Sequence, residues 1–235
     1  MESKTCDYKG IARIVGILYI IGTLAGALSA QFLKVKDMPD YLTQIAINPA
    51  YFLTGAVLTL VMGFALAMIP VFMFPILKQY SEAAAIGYVV FRGALETFTY
   101  IISAICYIAL SSLGMAFAEA GTQETTYYLC TGEPLKAIID TPVTAFVFGA
   151  GALILYTTLC KYRLIPRWIS GFGIVGAMLH IASGALVLLG LQETFDAGSL
   201  AMNLPIAVQE MLMAVWLIIK GFQVTETNYR KDKHT

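Results

Sequence analysis

An arginine and a glutamate, Arg92 and Glu96, stand four residues apart in the stretch YVVFRGALETFTY (residues 88–100), inside an otherwise apolar run. On a helix that spacing puts both side chains on one face, where cation and carboxylate neutralise each other. In hydrocarbon even a neutralised pair carries a desolvation penalty, so such a pair serves helix register, a solute or proton pathway, or catalysis. His180, Gln209 and Glu210 are the other polar side chains set deep in long apolar runs. Glu210 offers a second carboxylate, which either receives the arginine's fork or holds a proton itself.

Common enzymatic signatures are missing. The chain has no phosphate-binding glycine loop, no HExxH and no GxSxG, and Ser111-Ser112 have no base nearby in sequence. Cys6, Cys106, Cys130 and Cys160 form no CxxC, and the histidines are His180 and His234 alone. No disulfide framework, metal site or cofactor is expected from these residues.

The elements that position the polar residues follow from composition. Of 235 residues, 58% are hydrophobic and 13% charged, with a mean hydropathy of +0.75. Soluble domains carry about twice that share of charge, so lipid is the expected solvent for much of the surface. A formal net charge of zero argues against nucleic acid as a partner. Six apolar segments, roughly 11–33, 50–77, 83–112, 141–160, 166–190 and 204–222, are each long enough to cross about 30 Å of hydrocarbon as a helix. Lipid leaves no partner for an open backbone, so the predicted class is all-α, a six-helix transmembrane bundle. The domain organisation read here is a polar segment 1–10, a membrane domain 11–222 and a basic tail 223–235. The first span is read as retained and not as a cleaved leader. Asn48-Pro49 and Thr141-Pro142 read as helix starts, Pro166 and Pro205 open the fifth and sixth spans, and Pro70 marks a kink or end in the second.

A rise of about 1.5 Å per residue converts position into depth. Arg92 and Glu96 then lie about 13 and about 19 Å from the near edge of the third span, with His180 and Glu210 both at about 21 Å on the same scale. Gly176, His180 and Gly184 share one stripe of the fifth span, a pattern for close helix packing.

Charge sets the orientation. Alternating sides across six spans puts Lys4, Lys9, Arg13, Lys78, Lys161, Arg163, Arg167, Lys220, Arg230, Lys231 and Lys233 on one side. Only Lys34, Lys36 and Lys136 fall on the other. Both termini are therefore expected in the cytoplasm, and the membrane is expected to be the plasma (cytoplasmic) membrane. The stretch 113–140, with Glu119, Glu124, Glu133 and Asp140, reads as an acidic external loop in which Tyr127, Tyr128 and Leu129 can rest a short helix on the interface. Arg163, Arg167, Trp168 and Lys220 read as interface anchors.

Three segments carry a resemblance: FRGALE (91–96), YRLIPRWISGFGIVGA (162–177) and LPIAVQEMLMAVWLIIKGF (204–222). They resemble an uncharacterised prokaryotic family of six-span membrane proteins that carries a domain-of-unknown-function label. Arg92, Glu96, Pro166, Arg167, Trp168, Pro205, Glu210, Trp216, Lys220, Gly221 and Phe222 match its pattern, and the likeness covers about residues 11 to 222. His180 is not among the matched positions. The resemblance implies a fold and a location, and no activity.

The leading reading is transport or binding of protons or a small solute at an Arg92–Glu96–Glu210 cluster, with His180 and Gln209 nearby and membrane lipid as the surrounding partner. The alternatives are a structural or accessory subunit with a register-fixing ion pair, and an intramembrane enzyme acting on lipid. Topology is testable directly. Thiol labelling in sealed vesicles should find positions 40, 128 and 196 outside and 5, 80, 163 and 230 inside. Labelling of Cys130 from the cytoplasmic face would overturn the orientation.

Overall fold

A computed structural model of the chain describes residues 8–120, 125–194 and 196–223. Cys6, Lys4, Glu124, His234 and the tail cations Arg230, Lys231 and Lys233 lie outside the described residues. Among the described residues the fold is all-helical, without strands. In chain order the helices are α1 (Tyr8–Leu33), α2 (Tyr41–Ile47), α3 (Pro49–Leu77), α4 (Glu82–Tyr88), α5 (Glu96–Ala120), α6 (Thr125–Ile139), α7 (Val143–Lys161), α8 (Arg167–Leu188) and α9 (Ala197–Ile219). A 3₁₀ turn, Lys34–Asp37, follows α1, and a wide π turn, Val89–Leu95, joins α4 to α5. Six stretches are long and apolar enough to cross a membrane: Tyr8–Asp37, Pro49–Leu77, Glu82–Ala120, Thr125–Lys161, Arg167–Leu188 and Ala197–Ile219. The chain is a multi-pass integral membrane protein.

Local chemistry explains the helix starts. Asn48 Oδ1 accepts the Tyr51 N–H at 3.1 Å, just ahead of Pro49. Ser81 Oγ accepts the Ala84 N–H at 3.2 Å and so caps α4. Asp196 Oδ1 accepts the Ser199 N–H at 2.6 Å and opens α9 well before Pro205, which lies inside the helix. Each cap satisfies a backbone donor that the first turn leaves open.

The sixth span thus does not open at Pro205 as expected, and two further expectations change. α3 runs unbroken through Pro70 and Pro75 to Leu77. Lipid does not tolerate a loose backbone, so a proline there is carried within the helix when neighbouring chain packs on it. Gly93 supplies that neighbour: a Cβ placed on it would sit 3.2 Å from Pro70 Cγ. The acidic stretch 113–140 is also mostly helix, with α5 continuing to Ala120 and α6 covering Thr125–Ile139. Its apolar residues decide this: Leu113, Phe117, Tyr128, Leu135 and Ile139 pack on a core of Leu33, Tyr41, Leu42, Ile45, Phe52 and Leu110. Helical spacing of those residues outweighs the charges between them.

The chain divides into two compact units. The first comprises Met1–Ile21, Ala65–Glu96 and Pro142–Thr235. Within it α7 packs on α8, α8 on α9, and α4 with the π turn on α7. Glycine makes two of these approaches close. A Cβ on Gly176 would stand 3.0 Å from the Ile206 backbone, and one on Gly151 would stand 3.2 Å from the Arg92 nitrogen.

The second unit comprises Gly22–Phe64 and Thr97–Thr141 and holds the apolar core just named. Lys36, on the 3₁₀ turn, lies buried there. Its ammonium bonds Asp37 at 2.6 Å and Asp140 at 2.8 Å, tying the end of α1 to the chain just past α6. Lys136 stands over the Tyr41 ring at 4.4 Å. The Lys36 side chain is 4% exposed, whereas Asp37 and Asp140 are 50% and 33% exposed. Water already solvates the carboxylates, whereas the enclosed ammonium must draw water in if they go. Lys36→Met should therefore cost at most about 1 kcal/mol. Asp37→Ala/Asp140→Ala should cost about 3–5 kcal/mol, and unfolding titrations in detergent that reverse this order would refute it.

Candidate functional site

Arg92 and Glu96 owe their positions to the wide turn between α4 and α5. There the Glu96 N–H reaches back five residues to the Phe91 carbonyl, which adds a residue to the turn. Gly93 and Gly151 let Pro70 and α7 close on this turn from outside. Arg92 Nη1 donates to both Glu96 oxygens at 3.1 Å. Nη2 donates to Glu210 Oε1 at 2.9 Å across to α9. The arginine thus joins two carboxylates 114 positions apart (210 minus 96) in sequence.

Burial is unequal within this trio. The Arg92 side chain is 2% exposed and Glu96 fully buried, while Glu210 is 13% exposed. Aromatic rings complete the surroundings. The guanidinium carbon lies 4.6 Å from the Phe148 ring centroid and 5.7 Å from that of Tyr19. The Tyr19 and Tyr88 hydroxyls meet at 3.1 Å. Tyr156 stands within electrostatic reach of Glu210 and Arg92. One arginine N–H, at Nε, is buried with no hydrogen-bond acceptor among the described residues. Such donors are uncommon in folded proteins and mark strain, a bound acceptor or water.

The remaining polar candidates take separate places. His180 Nδ1 lies 2.7 Å from Asn203 Oδ1, and its ring meets Phe148 edge to face at 4.9 Å. One aromatic ring therefore separates it from Arg92. Gln209 is fully buried, its Nε2 donating to the Ile169 carbonyl at 3.3 Å and so pinning α9 to α8. Among the described residues no group of three His, Cys, Asp or Glu side chains is placed to hold a metal.

Arg167, Trp168 and Lys220 are exposed near helix ends, and Arg163 takes a left-handed φ of 54° where α7 closes. In the same region the Tyr80 and Tyr162 rings pair at 5.0 Å and the Gln223 N–H donates to the Leu164 carbonyl at 2.7 Å.

Sequence reading missed Phe148, Tyr19, Tyr88 and Asn203. Asn203 carried a signal, being an amide at the edge of an apolar run. The aromatics carried none, because rings are ordinary in membrane helices.

The profile of a family described as a domain of unknown function (DUF4386) matches residues 14–221. Neither a curated protein nor a solved structure matches the chain.

Direct contact between Arg92 and both carboxylates sets an expectation for stability. Arg92→Ala strands two charges and should cost about 3–5 kcal/mol. A double-mutant cycle of Arg92→Ala with Glu210→Ala should return a coupling of about 1 kcal/mol or more. Strictly additive effects in detergent unfolding would contradict the contact.

Proposed function

The chain belongs to the DUF4386 family, and from that premise we propose that it binds and moves a proton or a small polar solute at the Arg92–Glu96–Glu210 cluster. The observation that carries the reading is the asymmetry of the two carboxylates. Glu96 is fully buried, sits four residues from Arg92 on the same stretch of helix, and accepts from its Nη1 with both carboxylate oxygens. Glu210 takes a single bond from Arg92, belongs to a different helix and keeps some exposure. Glu96 neutralises the arginine permanently, and Glu210 is the member free to bind and release. The buried Nε–H of Arg92 supports a bound acceptor, a water or a solute oxygen, beside the same cation.

The proposed setting is the cytoplasmic membrane with both termini inside. Its support is the excess of Lys and Arg on one set of loops. Two of those loops are joined by the Tyr80–Tyr162 pair, and one of these also holds the chain after α9 through Leu164 and Gln223.

A structural role is the second reading, and it has an observation of its own. Phe148 and Tyr19 both meet the guanidinium, an arrangement suited to fixing helix register. The neutral mimic Glu210→Gln separates the two. Under transport, the variant should fold and insert normally while pH-driven flux in reconstituted vesicles is abolished. If the variant loses stability in detergent and the unmodified protein shows no flux, the structural reading holds and transport fails.

A further inference from the structure

A second polar system runs between α8 and α9, and its hydrogen-bond directions are fixed from one end. The Thr194 carbonyl can only accept, and Ser199 Oγ donates to it at 2.9 Å. With its proton committed, Ser199 Oγ must accept from its other neighbours. These are the Ser183 hydroxyl at 3.1 Å and Asn203 Nδ2 at 3.3 Å. The Asn203 amide is thereby oriented with Oδ1 toward His180, at 2.7 Å from Nδ1. An amide oxygen only accepts, so Nδ1 carries the hydrogen. Ser183 and Ser199 are 2% and 1% exposed, which leaves this order little competition from water.

The consequence falls on the other ring nitrogen. With Nδ1–H committed to Asn203, neutral His180 keeps its lone pair at Nε2, and that lone pair is where a proton or a hydrogen-bond donor must bind. In water the neutral ring favours the opposite tautomer, so three groups in series, the Thr194 carbonyl, Ser199 and Asn203, hold His180 in the less common form. That is more apparatus than helix packing needs, since a histidine filling space is indifferent to its tautomer.

We infer that His180 is a second proton-accepting residue, acting through Nε2, with Asn203 and Ser199 as positioning residues. The ring's surroundings tie it to the arginine cluster. α9 meets it with Asn203, α7 meets it with the Phe148 ring, and the charged group within electrostatic reach is Arg92. A proton on Nε2 puts a second cation beside the ring that Arg92 already contacts, so the occupancies of His180 and Glu210 are coupled. This inference rests on the cluster reading for that coupling only, and the tautomer stands on the hydrogen bonds alone.

The chain has two histidines, so the full-length His234→Gln protein, labelled with ¹⁵N-histidine and held in lipid nanodiscs, reports His180 alone by NMR. Neutral His180 should show the Nδ1–H tautomer, and acidification within about pH 5 to 8 should protonate Nε2. Asn203→Leu should move the neutral ring to Nε2–H, whereas Asn203→Asp, which keeps the acceptor, should retain Nδ1–H. If Asn203→Leu does not fold, Ser199→Ala serves instead. It frees the amide to turn and should give a mixture of tautomers. An Nε2–H ring in the unsubstituted site, or an imidazole that does not titrate, would overturn the inference. Glu210→Gln should shift the His180 titration midpoint while leaving the tautomer alone. Absent flux with the expected tautomer defeats the transport reading and leaves this one standing.

Discussion

A guanidinium withdrawn from water must find its counter-charge and its hydrogen bonds within the protein, and Arg92 finds most of them in Glu96 and Glu210. An exposed ion pair contributes about 0–1 kcal/mol, whereas breaking a buried one costs about 3–5 kcal/mol. With stakes of that size, the neighbouring chain is arranged around the arginine. The π turn sets its angle, Gly151 lets α7 come to its backbone, and Phe148 meets its face. Glu210 then determines where α9 lies, because the carboxylate must reach Nη2 at 2.9 Å.

The same constraint recurs with other chemistry. Lys36 is buried against Asp37 and Asp140 in the second unit. Along α8 and α9 the hydroxyls and amides of Ser183, Ser199 and Asn203 bond one another and His180. At the mouth of that series the Ser199 N–H and the Gln192 amide hold the Asp196 carboxyl below its usual range, so the cap of α9 stays ionised at neutral pH. In these sets of side chains, hydrogen-bonding capacity removed from water is met largely inside the protein.

The all-α, six-span class was legible because hydropathy and length are read directly from residue types. The Arg92–Glu96 pair was legible for a related reason, since charges in an apolar run stand out and spacing of four puts them on one face. Glu210 was reached by comparing depths, and the ion pair to it is present. What sequence did not carry were features set by neighbours. Pro70 reads equally as a kink or a helix end until α3 is seen to continue with Gly93 against the proline ring. Lys36 reads as one more loop cation until its carboxylates close on it. Residues 113–140 read as a loop because charge was weighed above the apolar spacing of Leu113, Phe117, Leu135 and Ile139. The π turn has no residue signature of its own. Gln209 and Glu210 are adjacent yet bond different neighbours, the Ile169 carbonyl and Arg92, a distinction that helical phase offers only once the neighbours of α9 are known.

The central claim is that Glu210 changes charge while Glu96 does not. Infrared difference spectroscopy across a pH step, on protein in lipid, reads that change as the carbonyl stretch of a protonated carboxyl. The account predicts a band that disappears in Glu210→Gln and survives in Glu96→Gln. A band that vanishes only in Glu96→Gln, or no carboxyl band in a protein that remains folded across the step, would contradict it.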